Sequence, residues 1–520
     1  MRRLGNILRI LRIVSATVFF SMMLMLFLHP HFAYIPAQPE FVQNVQLGPA
    51  LLRVFTSELT LALASGALAV LVLTLLAGRV FCSCICPLGI FQDIVLFVRN
   101  KLKRRGGRYK YLPSFRRVRM LVLAGSVLCV AGGFILPVYI FEPFAFFGRM
   151  VNALFLPVAI FFNNLAVKLA GEGNWTGLNT LEYPSVPLAV LLFTLLMFIL
   201  LMVAVWRYGR IYCNTLCPVG ALLGFLSRFS LFKVMISDED CGLCMQCAGK
   251  CKAGCIDADQ RIIDHERCIM CFNCLESCHF GALGVMNSWM RPKPRAGDQP
   301  DISRRNFVIA AGITLVAATA GTLFRLSGSA GRIAASKLPV APPGAGRIDR
   351  FRDKCISCHL CVSSCPEKII RPAVLEYGLT GFAQPLLEFK NGTCRLDCAT
   401  CSNVCPTGAL TPLDIKTKSR LQIGQAEFIM ARCVVYTKHA FCGACAQTCP
   451  TGAVRMKDWE HGLIMPEVDA ALCIGCGRCE HICPAKPDKA IVVHGVDVQR
   501  PAAKARKNVV KPSMSSGFPF

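Results

Sequence analysis

A chain of 520 residues is longer than one compact core fills and leaves room for three or four units. Hydrophobic residues make up 54% and charged ones 17%, which with a mean hydropathy of +0.49 moves the reading from a soluble globule toward several membrane spans. The net charge of +26 argues against a nucleic-acid face because many basic residues flank apolar segments, and the 31 cysteines stand in tight clusters unlike a short secreted disulfide framework.

Taken in chain order, apolar stretches of spanning length occur at 7–28, 58–77, 118–138 and 187–206, each near the roughly 20 residues a bilayer requires. Arg2, Arg3, Arg9 and Arg12 stand before the middle of the first, and a basic loop at 99–119 separates the second from the third. The positive-inside rule puts both in the cytoplasm, leaves 29–57 and 139–184 outside, and returns the chain inward at Trp206. A further apolar segment, 150–170, contains Pro157, Asn163, Asn164 and Lys168 and is read as interfacial or re-entrant. A fifth span there would move Arg207, Arg210, Arg228 and Lys233 outside, against the same rule.

Residues 1–236 thus form a four-span membrane domain, and it carries two equivalent motifs. Cys82-x3-Cys86-Pro87-Leu88-Gly89 follows the second span and Cys213-x3-Cys217-Pro218-Val219-Gly220 follows the fourth. Both motifs are expected at the cytoplasmic surface, and two of them, each ending a span that runs in the same direction, could bring four thiolates together as a metal or cluster site or as a redox-active thiol pair. The alternative is structural thiols in sharp Pro-Gly turns. Cys129, alone within a span, is read as a packing residue. His29, His31, Glu58 and Glu142 fall at the outer ends of spans, where ionisable groups are candidates for proton transfer; interfacial anchoring is the alternative.

Beyond the membrane domain, residues 237–290 are cysteine-rich, and 291–306 form a linker that ends in Ser303-Arg304-Arg305-Asn306. Paired arginines leading into a mild Ala/Gly/Thr-rich apolar helix at 307–326 resemble a twin-arginine translocation signal, here internal to the chain; an ordinary span with basic anchors is the alternative. Both readings carry the remainder of the chain to the outside. A flexible linker at 327–350 leads to residues 351–496, which hold sixteen cysteines, and a basic tail, 497–520, closes the chain and reads as disordered.

A cubane [4Fe-4S] cluster needs four thiolates; three at i, i+3 and i+6 wrap one corner each, and in two-cluster ferredoxins the fourth, a few residues on, ligates the other cluster. The sequence repeats this device six times. Cys241, Cys244, Cys247 and Cys251 form the first set and Cys268, Cys271, Cys274 and Cys278 the second. Cys355, Cys358, Cys361 and Cys365 form the third, and Cys473, Cys476, Cys479 and Cys483 the sixth, each with Pro after the last cysteine. Two looser sets lie between: Cys394, Cys398, Cys401 and Cys405, and Cys433, Cys442, Cys445 and Cys449, with a longer loop after Cys433. In the first pair crossed ligation is expected, Cys278 joining the first three thiolates and Cys251 the second three. Lys252 and His279 replace the usual prolines there, and Cys255 could substitute for Cys251. Zinc sites pair C-x2-C motifs over a dozen or more residues and need no third cysteine in the same turn. The stretch 355–359 matches the C-x-x-C-H haem motif, yet Cys361 and Cys365-Pro366 follow at ferredoxin spacing. No S/T-G-A-T flavinylation motif is present, so neither covalent flavin nor haem is expected.

These features resemble two families joined in one chain. Residues 1 to about 290 are similar to the NapH-type membrane ferredoxins, and those from about 300 to 496 are similar to the NapG/MauM-type polyferredoxins. The fold class expected is mixed: an α-helical membrane domain of four spans plus one linking span, with two α+β ferredoxin-like iron–sulfur domains. The resemblance implies an electron-transfer subunit of an oxidoreductase, or a quinol dehydrogenase, in the bacterial cytoplasmic membrane. It would have a cytoplasmic two-cluster and a periplasmic four-cluster domain, and carry electrons from the menaquinol or ubiquinol pool to a periplasmic reductase or dehydrogenase. Two alternatives remain open: a donor for maturing or reactivating a periplasmic metalloenzyme that draws on a cytoplasmic ferredoxin or flavodoxin, and a redox sensor or assembly scaffold.

Overall fold

The structure, a computed structural model, describes residues 2–32, 44–56, 61–103, 109–132, 135–170, 180–237, 239–288 and 338–503. The twin-arginine linker, the helix expected at 307–326, Glu58, and the side chains of His29 and His31 lie outside the described residues.

Among the described residues three helices are long and apolar enough to cross a membrane: Gly5–Leu28, Pro143–Leu169 and Leu188–Tyr208. Their free faces are hydrocarbon. Ile7, Ile10, Leu11, Val14 and Val18 on the first and Leu188, Leu192, Leu196 and Leu200 on the third are exposed, at the three- and four-residue spacing that lines one side of a helix. Such faces suit lipid, where the intrahelical backbone bonds leave nothing unsatisfied. The expected count of four is not what these helices give. The second expected span is described as Leu61–Ala77, and the third is broken into Arg116–Ala131 and Leu136–Phe141, with Pro137 restarting the chain after Gly132.

The segment 150–170 continues the Pro143–Met150 helix through a π-helical turn, Val151–Phe155, into Leu156–Ala170. The wider turn accommodates Pro157, whose ring would otherwise meet a carbonyl one turn earlier and which supplies no N–H. Length and composition make this helix, expected as interfacial or re-entrant, one of the three candidates to cross. Gly148 packs on the Cys358 carbonyl, while Asn164 bonds both the N–H and the carbonyl of Leu181, beside Glu182, whose carbonyl accepts from Lys368. Both halves therefore reach the same carboxy-terminal unit.

Two cysteine-rich units cap the helical body. The first pairs Phe232–Ile236 with Leu283–Asn287 (Phe232 opposite Asn287) and Ile256–Asp257 with Ile262–Ile263, both antiparallel. Its first strand thus begins before the boundary expected at 237. The second, 338–503, is built on three antiparallel pairs: Ile370–Pro372 with Pro385–Leu387, Leu421–Phe428 with Ile491–Pro501, and Val454–Asp458 with Ile464–Val468. Residues 338–350, expected as flexible linker, are packed into this unit. Leu338 and Val340 accept from Gly495 and Leu387, Gly344 and Gly346 from Thr411 and Gln499, and Val340, Ala341 and Ala345 are buried. The start of the expected tail is likewise held, since Arg500 and Pro501 pair with Gln422 and Leu421.

The units sit at opposite ends of the helices. At one end Leu231 N–H donates to Leu75, Arg210 N–H to Lys252, and Arg119 pairs with Glu266. At the other, Tyr139 Oη donates to the Phe382 carbonyl at 2.9 Å, Arg53 to the Cys405 carbonyl at 2.9 Å, and the Phe193 and Phe382 rings meet at 5.2 Å.

Candidate iron–sulfur centres

The tight cysteine sets share a backbone device. On either side of the second cysteine the residue has positive φ: Leu243 and Met245, Met270 and Phe272, Ser357 and His359, Gly475 and Gly477. Left-handed conformations are uncommon for residues with a side chain and persist where the surroundings fix them. Two of them around one cysteine curl the loop, and a short helix then carries the third cysteine: Gln246–Lys250, Asn273–Ser277, Leu360–Ser363 and Arg478–Ile482. The looser sets at 394–405 and 433–449 contain no such pair.

The thiols group across sets. Cys241, Cys244 and Cys247 line one cavity with Cys278, and Cys268, Cys271 and Cys274 line a second with Cys251 and Cys255. Cys394, Cys398 and Cys401 share a cavity with Cys365, and Cys473, Cys476 and Cys479 share one with Cys449. Cys405 is an electrostatic neighbour of Cys355, Cys358 and Cys361, and Cys433 has Cys442 and Cys483 beside it. The crossing expected in the first unit thus recurs in both pairs of the second. Among the described residues no three His, Cys, Asp or Glu converge on a single metal ion.

The donor chemistry fits thiolate-held clusters. Backbone N–H groups point at sulfur, from Leu410 to Cys405 and from Ala490 to Cys483, both at 3.4 Å, which is how a fold favours thiolate and tunes a cluster. Burial pushes the Cys247 thiol up to about 11 and the Cys365 thiol likewise, the cost that metal ligation offsets. Cys251 runs the other way. A hydrogen bond from Cys255, 3.4 Å away, brings it down to about 7 despite burial. Cys255 occupies the place, four residues after the last cysteine of its set, that Ala282, Ala409 and Ala453 hold in others.

Cys82, Cys86, Cys213 and Cys217 are all buried within the helical body and are mutual electrostatic neighbours. Cys82 and Cys213 lie in two short helical turns, Phe81–Cys84 and Ile211–Thr215, and Cys86 and Cys217 cap the helices that follow, each of which starts on the motif proline. The two halves interlock reciprocally. Arg79 donates to the Cys213 carbonyl at 2.8 Å and Arg210 to the Cys82 carbonyl at 2.7 Å, each arginine reaching the other half's first cysteine. Gly89 and Gly220 make room: a Cβ on either would lie 2.4 and 2.2 Å from the same Cys82 and Cys213 carbonyls. Gln92 donates to the Cys213 sulfur at 3.4 Å and Gly220 N–H to Cys217 at 3.2 Å. These arginines and Gln92 were not read from the sequence. The signal for the arginines is a longer repeat, Gly78-Arg79-Val80-Phe81-Cys82 against Gly209-Arg210-Ile211-Tyr212-Cys213.

The groups are linked by a series of contacts and electrostatic neighbours. Cys274 has Cys247 as a neighbour, joining the two sites of the first unit. Arg79 bridges the next step, donating to the Glu266 carbonyl at 3.0 Å and contacting the Cys82 sulfur at 3.8 Å. From Cys213, Tyr212 meets the Phe146 ring at 6.1 Å, and Gly148 on that helix touches the Cys358 carbonyl so closely that a Cβ would lie 2.2 Å from it. Cys361 then neighbours Cys401, Cys394 N–H donates to the Cys476 carbonyl at 2.9 Å, and Cys479 neighbours Cys445. Glu142, the one described member of the four proton-transfer candidates, is buried and caps the Pro143–Met150 helix by accepting from Ala145.

Family models described as a 4Fe-4S binding domain match 59–105 and 190–236, and two described as 4Fe-4S dicluster domains match 348–422 and 440–486. The chain is 35% identical over 179 residues to the methylamine utilization ferredoxin-type protein MauM of Methylophilus methylotrophus, covering 32% of this chain and 76% of that one. It belongs to the MauM family of ferredoxin-type proteins. This ferredoxin-type protein is also 27% identical over 159 residues to the ferredoxin-type protein NapG of Escherichia coli K12, covering 29% of this chain and 68% of NapG. An uncharacterized protein of Methanocaldococcus jannaschii is 28% identical over 251 residues, 48% of this chain and 77% of that one. No solved structure matches. The ferredoxin-type protein is thus an iron–sulfur electron-transfer polyferredoxin with several 4Fe-4S-binding domains. The first model's two matches each contain one Cys-x3-Cys-Pro motif.

Proposed function

We propose that this protein is a transmembrane electron conductor with seven cysteine-held centres in one row. Two lie at the cytoplasmic end, one is formed by Cys82, Cys86, Cys213 and Cys217 in the helical body, and four lie at the periplasmic end. The observation that carries the reading is the contact sequence running from Cys247 through Arg79, Tyr212 and Gly148 to Cys445. Six centres alone would leave a hydrocarbon thickness of roughly 30 Å uncrossed, and the four thiols buried in the helical body are the carrier this reading assigns to it. Bound [4Fe-4S] clusters supply one-electron acceptance and release with little rearrangement. The protein's part is to hold the thiolates, exclude water and keep successive groups in contact.

The positive-inside pattern and the twin-arginine stretch support this orientation, and the resemblance to NapH- and NapG/MauM-type proteins implies a quinol pool as donor and a periplasmic reductase or dehydrogenase as acceptor. Entry from a soluble cytoplasmic ferredoxin or flavodoxin is favoured by a different observation. Around the exposed Cys244, Leu243, Met245 and Phe280 form an exposed apolar rim of the kind a docking carrier covers. Low-temperature EPR of the protein in nanodiscs separates the two: reduction by a quinol analogue alone supports quinol entry, and reduction only by a reduced ferredoxin supports the soluble donor.

A further inference from the structure

Among the described residues no carboxylate pairs with Arg79. Its guanidinium is fully buried, at 0% exposure, and it donates to Asn214 Oδ1 at 2.8 Å, the Cys213 carbonyl at 2.8 Å, the Glu266 carbonyl at 3.0 Å and the Cys82 sulfur at 3.8 Å, none of them a carboxylate. Its Nε has no partner among the described atoms. The nearest carboxylate by sequence of contacts, Glu266, turns its side chain to Arg116, Arg119 and Arg228 instead. The counterpart in the other half differs. Arg210 is equally buried but pairs with Asp93 at 2.9 Å, a carboxylate also held by Arg12 and Lys252. Two halves alike in motif and in reciprocal carbonyl bonds are therefore unlike in charge.

A buried cation without a counter-ion is strongly destabilising, and such groups persist where an anion completes the site. The groups of greatest electrostatic effect on Arg79 are the thiols Cys82, Cys213 and Cys217. Four thiolates sharing one iron–sulfur centre carry net negative charge, which a low-dielectric interior tolerates only beside a cation. We propose that Arg79 is the counter-charge of an anionic centre held by Cys82, Cys86, Cys213 and Cys217, and that it sets that centre's reduction potential. The inference rests on the proposed seven-centre reading. One-electron reduction breaks no bond and makes the site one charge more negative, so the Arg79 cation stabilises the reduced state more than the oxidised one. Because Arg79 also holds the Glu266 carbonyl, two residues before Cys268, the same charge acts on the adjoining centre, less strongly.

The test is an EPR-monitored redox titration of the full-length protein in nanodiscs, with total iron measured on the same samples. Arg79→Gln removes the charge, Arg79→Lys keeps it, and Asn214→Asp leaves Arg79 in place but sets a carboxylate against it. The expected result is a lower potential for one centre in Arg79→Gln and Asn214→Asp, by at least tenfold in the reduction equilibrium, about 59 mV for one electron, with recovery in Arg79→Lys. If Arg79→Gln loses the centre altogether, Asn214→Asp decides by the same criterion. A seventh centre present with its potential unchanged in both variants overturns the inference and spares the reading. Wild-type protein with about 24 rather than about 28 irons, unchanged by Cys82→Ser, overturns the reading and the inference with it.

Discussion

The two cysteine-rich units grip the same helices by different physics. The 232–288 unit is held by charge: Arg9 pairs with Glu276, Arg119 with Glu266, and Asp93 is surrounded by Arg12, Arg210 and Lys252. The 338–503 unit is held by close backbone approach and aromatic packing, through Gly148 against Cys358, Tyr139 against Phe382, and the Phe193 and Phe382 rings. Only the first grip should respond to losing a carboxylate or to acid. The end that carries the 232–288 unit supplies arginines for ionic contacts, whereas at the opposite end Arg53 and Arg149 meet carbonyls rather than carboxylates.

The largest effect that would break this contrast is at Asp93. Burial alone would raise its carboxyl, yet Arg210, Lys252 and Arg12 hold it well below the usual carboxylate range. Asp93→Asn leaves three cations without their counter-charge and should cost about 3–5 kcal/mol. Limited proteolysis should then release the 232–288 unit while 338–503 stays attached. Equal loosening of both units would show that the grips are not independent.

A spectroscopic prediction sharpens the contrast inside the first unit. Cys251 and Cys255 both face the site of Cys268, Cys271 and Cys274. Cys251→Ser should keep that centre, with altered EPR line shape, because Cys255 reaches the same corner. The double variant Cys251→Ser/Cys255→Ala should lose one iron or the whole centre.

Acid should act next most strongly, and through His265. Burial, then Lys233, lowers its imidazole to about 4 from 6.5, so the unfolded chain binds a proton that the folded unit refuses between those values. Stability is fully present above about pH 6.5 and falls as pH drops toward 4, by roughly 1 kcal/mol per pH unit. Asp93 contributes nothing in that window, since its stabilisation is lost only below the ordinary carboxylate value of 3.8. Thermal melts of His265→Gln should be flatter with pH there. The smallest effect is at the other grip: Tyr139→Phe removes one hydrogen bond to Phe382, worth about 0.5–1.5 kcal/mol, with no pH dependence.

The sequence made the tight cysteine sets legible because three thiols at fixed spacing on one turn are a local property. Crossed partners such as Cys365 with Cys394 are tertiary, and spacing only hinted at them. Arg79 and Arg210 were hidden for a related reason: basic residues beside apolar spans read first as orientation signals, and only their reciprocal bonds mark them as parts of a site. The third expected span is described as two shorter helices, Arg116–Ala131 and Leu136–Phe141, which the sequence hid because hydropathy averages over Gly132 and Pro137. Residues 338–350 looked like linker because Pro and Gly dominate them. Their carbonyls accept from Leu387, Gly495, Thr411 and Gln499, which composition does not reveal.

The central claim is that electrons cross through the four buried thiols of the helical body. The most direct measurement uses proteoliposomes with the protein in one orientation and a membrane-impermeant reductant supplied only on the side of the 232–288 unit, with the EPR signals of all centres followed. Reduction of the 338–503 centres in wild type, abolished in Cys82→Ser/Cys213→Ser while the first unit still reduces, is the expected result. Reduction of the far centres at an unchanged rate in that variant, or their staying oxidised in wild type, would contradict the account.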